Sequence, residues 1–131
     1  MTRPSTWVAV LAALVLLAGA SQLTRAGYSV DEEFTVFAVR GIQHGGLPHL
    51  PSALLYDRGL AYSYASWIAG AVTGYELPAF RALSLASAVA SLWLVFAAVR
   101  RVAGDAAGLA AAAAVTLSLP FWAVATSGRF Y

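Results

Sequence analysis

The chain has no cysteine and no lysine, and only 11% of its 131 residues are charged. Without cysteine there is no disulfide, no thiolate metal site and no cysteine nucleophile. Every cation is an arginine, the formal net charge is only +2, and no basic cluster exceeds Arg100-Arg101, which argues against a nucleic-acid-binding patch. No phosphate-binding glycine loop, dinucleotide fingerprint, nucleophile elbow or paired-histidine helix occurs. No internal repeat is visible. Ala110 to Ala114 is a run of small residues of the kind that lets helices approach closely.

What is abundant is apolar sequence. Hydrophobic residues make up 60% of the chain and the mean hydropathy is +0.73, whereas about a quarter of the residues of a soluble domain are charged. An all-α integral membrane protein is the expected class. Trp7 to Leu23 is long enough to cross a hydrocarbon core of about 30 Å. A second run, 81–100, is opened by Arg81 and closed by Arg100-Arg101. The third, Ala106 to Thr126, ends at Ser127-Gly128-Arg129, and Gly104-Asp105 is the turn between the two. Leu60 to Tyr75 is interrupted by Tyr62, Ser63, Tyr64, Ser66, Gly70, Thr73 and Gly74, and reads as a helix lying at the membrane interface rather than a span.

Three spans agree with the positive-inside rule. With Arg3 and Arg100-Arg101 in the cytoplasm, the loop 24–80 and the segment Arg129-Phe130-Tyr131 share the opposite face. A fourth span at Leu60 to Tyr75 would put Arg100-Arg101 outside. Ala18-Gly19-Ala20, behind a charged start and an apolar stretch, also fits a signal-peptide cleavage site. A retained anchor is preferred because the remainder of the chain is itself membrane-like.

The loop 24–80 holds most of the polar chemistry. Ser29 followed three residues later by Glu32 is a capping box, which predicts a helix starting near Val30. Phe34, Phe37, Ala38, Gly41 and Ile42 fall on one face of that helix, and Gly45-Gly46 with Pro48 end it. Asp31, Glu32 and Glu33 occupy its first turn. Acids there stabilise a helix by about 0.3–1 kcal/mol each, so a capping role accounts for them. The same dipole keeps Asp31 ionised, as a general base requires.

The order of these features resembles the N-terminal part of the GT-C superfamily of integral membrane glycosyltransferases, closest to glycosyltransferase family 39, which includes protein O-mannosyltransferases and lipid A aminoarabinose transferases. The matching text is Tyr28-Ser29-Val30-Asp31-Glu32 for the acidic motif, Pro78-Ala79-Phe80-Arg81-Ala82-Leu83-Ser84 opening the second span, Arg100-Arg101-Val102-Ala103-Gly104 closing it, and Ser127-Gly128-Arg129-Phe130-Tyr131 after the third. The resemblance implies inverting transfer of a sugar from a polyprenyl-phosphate carrier to an acceptor hydroxyl on the non-cytoplasmic face of the cell membrane. The acceptor would belong to a protein or a glycolipid. It also implies that Asp31 is the general base or acceptor-orienting carboxylate and that Glu32 is the second acidic position. Arg129 and Tyr131 match the family's post-helix Arg-x-Tyr, which the resemblance places near the donor phosphate or in the active-site wall. The family's Lys-Pro-Pro-Leu-like text is replaced by Leu55-Tyr56-Asp57-Arg58-Gly59-Leu60, with Arg58 as the candidate substrate contact. Family members have many more membrane helices, so the 131 residues are expected to be a fragment that is inactive alone.

His44 and His49 are spaced closely enough to be considered as metal ligands with Asp31 or Asp57. Two loop histidines are more often solvent-facing or hydrogen-bonded, so neither a metal nor a cofactor is expected. Asp57 and Arg58 are candidates for surface pairs with Arg40 or Glu76. Trp67, Tyr62, Tyr64 and Tyr75 fit an interfacial aromatic belt. The alternative function is a small non-enzymatic membrane subunit or a transporter fragment. Transporters place ionisable groups within their spans, and no span here carries an acid.

Overall fold

The computed structural model describes residues 4–27 and 29–128. Its elements are helices: α1 Pro4–Leu23, α2 Val30–Gly45, α3 Leu60–Thr73, α4 Leu77–Thr116 and α5 Leu119–Ala125. The described residues contain no strand, only an isolated bridge between His49 and Leu55. Two helices, α1 and α4, are long and apolar enough to cross a membrane. At 1.5 Å per residue, the 20 residues of α1 reach about 30 Å, the thickness of a hydrocarbon core. Their large side chains also face outward, with Leu17 at 73% and Leu94 at 69% exposure.

The element α4 is two helical arms joined at Gly104, whose φ of 85° and ψ of 172° break the helix. That backbone is open to glycine and strained for any residue with a Cβ. The turn expected at Gly104-Asp105 is therefore where the chain reverses. Beyond it the second arm returns along the first: Ala112 packs on Phe96, and further along Ala125 packs on Leu85 and Leu92. Gly108 makes the close approach possible, since a Cβ there would lie 2.9 Å from the Phe96 carbonyl oxygen. α1 fills the groove between these arms, Val8 against Phe96 and Ala112, Val15 against Leu85 and Leu92. The end of α1, the start of α4 and the end of α5 consequently meet at one end of the bundle. The Arg100-Arg101 pair lies at the other, where Arg100 pairs with Asp105 at 3.1 Å and covers the Phe96 ring at 5.2 Å.

The third apolar run departs from expectation. Instead of one helix over Ala106 to Thr126, the second arm stops at Thr116 and α5 restarts at Leu119 with proline in its first turn. Pro120 has no N–H to continue the ladder, and the Thr116 carbonyl that loses its helical donor accepts instead from the Trp122 indole at 2.8 Å.

α2 begins at Val30, as its cap predicts. The Ser29 hydroxyl accepts from the Glu32 N–H, the Glu32 carboxylate accepts from the Ser29 N–H, and Gly46 closes the helix in the left-handed conformation. The buried face, however, is Glu32, Thr35, Val36, Ala38, Val39 and Ile42, rotated from the expected one. Val36 and Val39 pack on Ala79, Phe80 and Tyr75, while Phe34 turns outward and stacks on Tyr56 with ring centroids 5.9 Å apart. α3 is a helix of 14 residues, about 21 Å long and too short to cross a bilayer unaided. Its small residues Ser63, Ser66 and Gly70 are buried, and Ile68 and Val72 are exposed.

Candidate functional site

The chemistry gathers where the helix ends meet. Arg81 sits in the second turn of α4 between Phe80 and Ala82, and its side chain is 1% exposed. A guanidinium buried among apolar groups costs several kcal/mol of lost hydration unless each N–H finds an acceptor. All five do. Nε donates to Glu32 Oε1 at 2.8 Å, and Nη2 donates to Glu32 Oε2 at 3.1 Å and to the Gly27 carbonyl at 2.9 Å. Nη1 donates to the carbonyls of Leu23 at 3.3 Å and Arg25 at 2.7 Å. The last residue of α1 and two residues after it thus supply carbonyl acceptors that the helix leaves unsatisfied.

Glu32 is equally engaged. Oε1 accepts from Arg81 Nε and from the Gly128 N–H at 2.9 Å, and Oε2 accepts from Arg81 Nη2 and from the Ser29 N–H at 2.9 Å. Burial pushes the carboxyl up, but the Arg81 guanidinium and the N–H groups of Ser29 and Gly128 outweigh it and hold the group down at about 2. One carboxylate therefore joins the start of α2, the start of α4 and the residues after α5, and through Arg81 it also holds the end of α1. Gly128 is closely packed here: a Cβ would lie 3.2 Å from Leu77 and from Phe80.

Asp31 precedes Glu32 in the first turn of α2 and is partly exposed, while Glu33 is exposed. The Asp31 carbonyl accepts from the Thr35 hydroxyl at 3.3 Å. Tethering Glu32 therefore fixes the backbone that carries Asp31 at the polar end of the bundle. Arg58 is exposed in the turn before α3, and among the described residues no ion pair joins it to Glu76 or joins Asp57 to Arg40. Arg129 and Tyr131 lie outside the described residues, as do Arg3 and Tyr28. Ser127 and Gly128, which lead into Arg129, are buried beside the pair.

Two aromatic hydroxyls fasten α3. Tyr62 O–H donates to the Phe80 carbonyl at 3.0 Å and shares a hydrogen bond with Ser84 at 2.8 Å, and Tyr64 O–H donates to the Gly46 carbonyl at 2.9 Å. Burial pushes the Tyr62 phenol up, so it stays protonated and able to donate. These two tyrosines hold helices together rather than standing in a belt. Trp67, at 36% exposure, retains the outward position.

The sequence alone reads Glu32 as a helix cap and, through the family resemblance, as the second acidic position, and reads Arg81 only as the residue opening a span. The signal for Arg81 was its isolation: one cation a turn inside an apolar helix needs a buried counter-charge, and Glu32 is the acid facing inward on α2. No family model matches this sequence, and neither a curated protein nor a solved structure shows significant similarity to it.

Proposed function

We propose that this chain serves glycosyl transfer in a membrane: a sugar passes, with inversion, from a polyprenyl-phosphate carrier to an acceptor hydroxyl on the non-cytoplasmic side. In this reading α1 and the two arms of α4, the second extended by α5, are three spans, and α2 and α3 lie at the outer interface. Asp31 is the general base or acceptor-orienting carboxylate. Glu32 supports it by holding the first turn of α2 against the bundle, and Arg129, Tyr131 and Arg58 contact the donor. The observation that supports the reading is the position of Asp31, on a helix start locked by Glu32 to the converging ends of α1, α4 and α5. A catalytic carboxylate needs such a rigid frame, because misplacement by about 1 Å can cost 10²-fold in rate.

The test is transfer of radiolabelled sugar from a polyprenyl-phosphate donor in membranes holding the complete native polypeptide. Asp31→Asn should leave the amount of folded protein unchanged and reduce turnover by about 10²–10⁴-fold, the usual contribution of general acid–base catalysis. Glu33→Gln should cost little. Near-normal transfer by Asp31→Asn would reduce the acidic triplet to a helix cap.

A further inference from the structure

Toward its C-terminal end, α2 and the loop 47–56 enclose a groove of about 480 Å³ lined by Arg40, His44 and His49 on its polar side and by Phe37, Leu50 and Pro51 on its apolar side. No carboxylate lines it. The loop is seated firmly: Gly41 lets the His49 backbone lie so close that a Cβ would overlap it, and bonds from Leu50 N–H to Leu54 O at 2.9 Å and from Tyr56 N–H to Pro48 O at 2.8 Å close the turn.

The donors and acceptors of this groove are defined. His44 Nδ1–H donates to the Arg40 carbonyl at 2.7 Å and His49 Nδ1–H donates to the Ala53 carbonyl at 3.2 Å. A carbonyl only accepts, so the neutral rings carry their hydrogen on Nδ1 and each presents a bare Nε2 lone pair. Neither Nε2 atom nor the Arg40 guanidinium has a partner among the described residues. The groove therefore offers one cationic donor fork, suited to phosphate, and two neutral acceptors, suited to N–H or O–H groups.

Exposed apolar side chains border the groove. Leu47, Leu54 and Leu55 are each at least 50% exposed. Gly46 is held by Tyr64 of α3, the helix whose Tyr62 reaches Phe80 and Ser84 of α4. The edge of the groove is thus tied to the first turns of α4, a level that the membrane placement proposed above puts among lipid phosphates. We infer that this groove holds the headgroup of a bilayer phospholipid whose phosphate bears an ammonium or hydroxyl substituent. Arg40 takes the phosphate, the two Nε2 atoms take the substituent, and Leu47, Leu54 and Leu55 enter the acyl boundary. The inference rests on the membrane placement proposed above.

The experiment uses the full chain in nanodiscs of phosphatidylcholine doped with phosphatidylethanolamine or phosphatidylglycerol, reading retained lipid by native mass spectrometry. Phosphatidylethanolamine and phosphatidylcholine have the same charge and the same phosphate, but only the first has N–H donors. Two hydrogen bonds should favour it by about tenfold or more. Arg40→Gln should abolish retention, and His44→Ala/His49→Ala should erase the preference. All three residues are exposed, so these variants keep the fold. Equal retention of the two lipids, no effect of Arg40→Gln, or displacement by inorganic phosphate would each overturn the inference. Spin labels at Leu54→Cys and Leu14→Cys separate the two levels of argument. Oxygen contact at both supports the proposal. A wet label at 54 with a lipid-exposed one at 14 overturns the headgroup site alone, and two wet labels overturn the membrane placement and with it the site.

Discussion

Replacing Glu32 by glutamine tests the centre of the structure with a change of one atom. The carboxylate is fully buried and accepts four hydrogen bonds, two on each oxygen. Glutamine keeps one oxygen and turns the other into an N–H₂ group facing two N–H donors, and the Arg81 guanidinium loses its counter-charge. Removing one partner of a buried pair typically costs about 3–5 kcal/mol. The depressed carboxyl expresses the same contacts: a group held at about 2 against an ordinary 4.5 favours the charged folded form by roughly 3 kcal/mol. A loss of that size is a large part of the about 5–15 kcal/mol that holds a typical domain together. Because the folded-state value is depressed, this stability is fully present above pH 4.5 and is lost as the pH falls toward about 2. Denaturant unfolding in detergent micelles, followed by circular dichroism, should show Glu32→Gln weaker by about 3–5 kcal/mol at pH 7 and losing clearly less stability than the parent as the pH falls from 5 to 2. Glu32→Gln/Arg81→Met should regain much of the loss, since neither charge then remains buried. A Glu32→Gln variant within about 1 kcal/mol of the parent, the net worth of one ordinary hydrogen bond, would refute the role assigned to the pair. So would the same acid sensitivity in both proteins.

Cysteines placed singly at Gly45 and at the exposed Ala103 should be labelled from opposite sides of the membrane, and labelling of both from one side would reject the three-span topology. Gly108→Leu drives a side chain into Phe96 and Arg100 and should destabilise the helical hairpin by about 1–3 kcal/mol, as overpacking does. The same unfolding assay reads it, and an unchanged midpoint would mean that the two arms of α4 do not pack as described.

Features set within a few residues could be read from the text. Ser29 and Glu32 are three residues apart, so their reciprocal cap follows from helix geometry alone, and Gly46 and Gly104 stand where the backbone needs a conformation that L side chains resist. The long apolar runs of α1 and α4 follow from composition. Reading α2's apolar face by its phenylalanines gave the wrong rotation. Hydrophobicity ranks Phe34 above Thr35 and Glu32, yet Tyr56 provides Phe34 with a stacking partner on the outside, and Arg81 draws Glu32 inward. Pro120 was legible as a helix breaker, but its effect was hidden within an apolar run judged by length.

A helical, strongly apolar chain with a capped helix after its first long run and a reversal at Gly104 follows from the order of residues alone. These are consequences of local backbone preference and of burying or exposing whole segments. Tertiary structure alone decided that Glu32 belongs to Arg81, 49 residues away, and to the Gly128 N–H, 96 residues away. No local rule couples such positions. They meet because α1 and the two arms of α4 run antiparallel and bring their ends together. A buried guanidinium there is tolerated only where a carboxylate and three carbonyls converge on it.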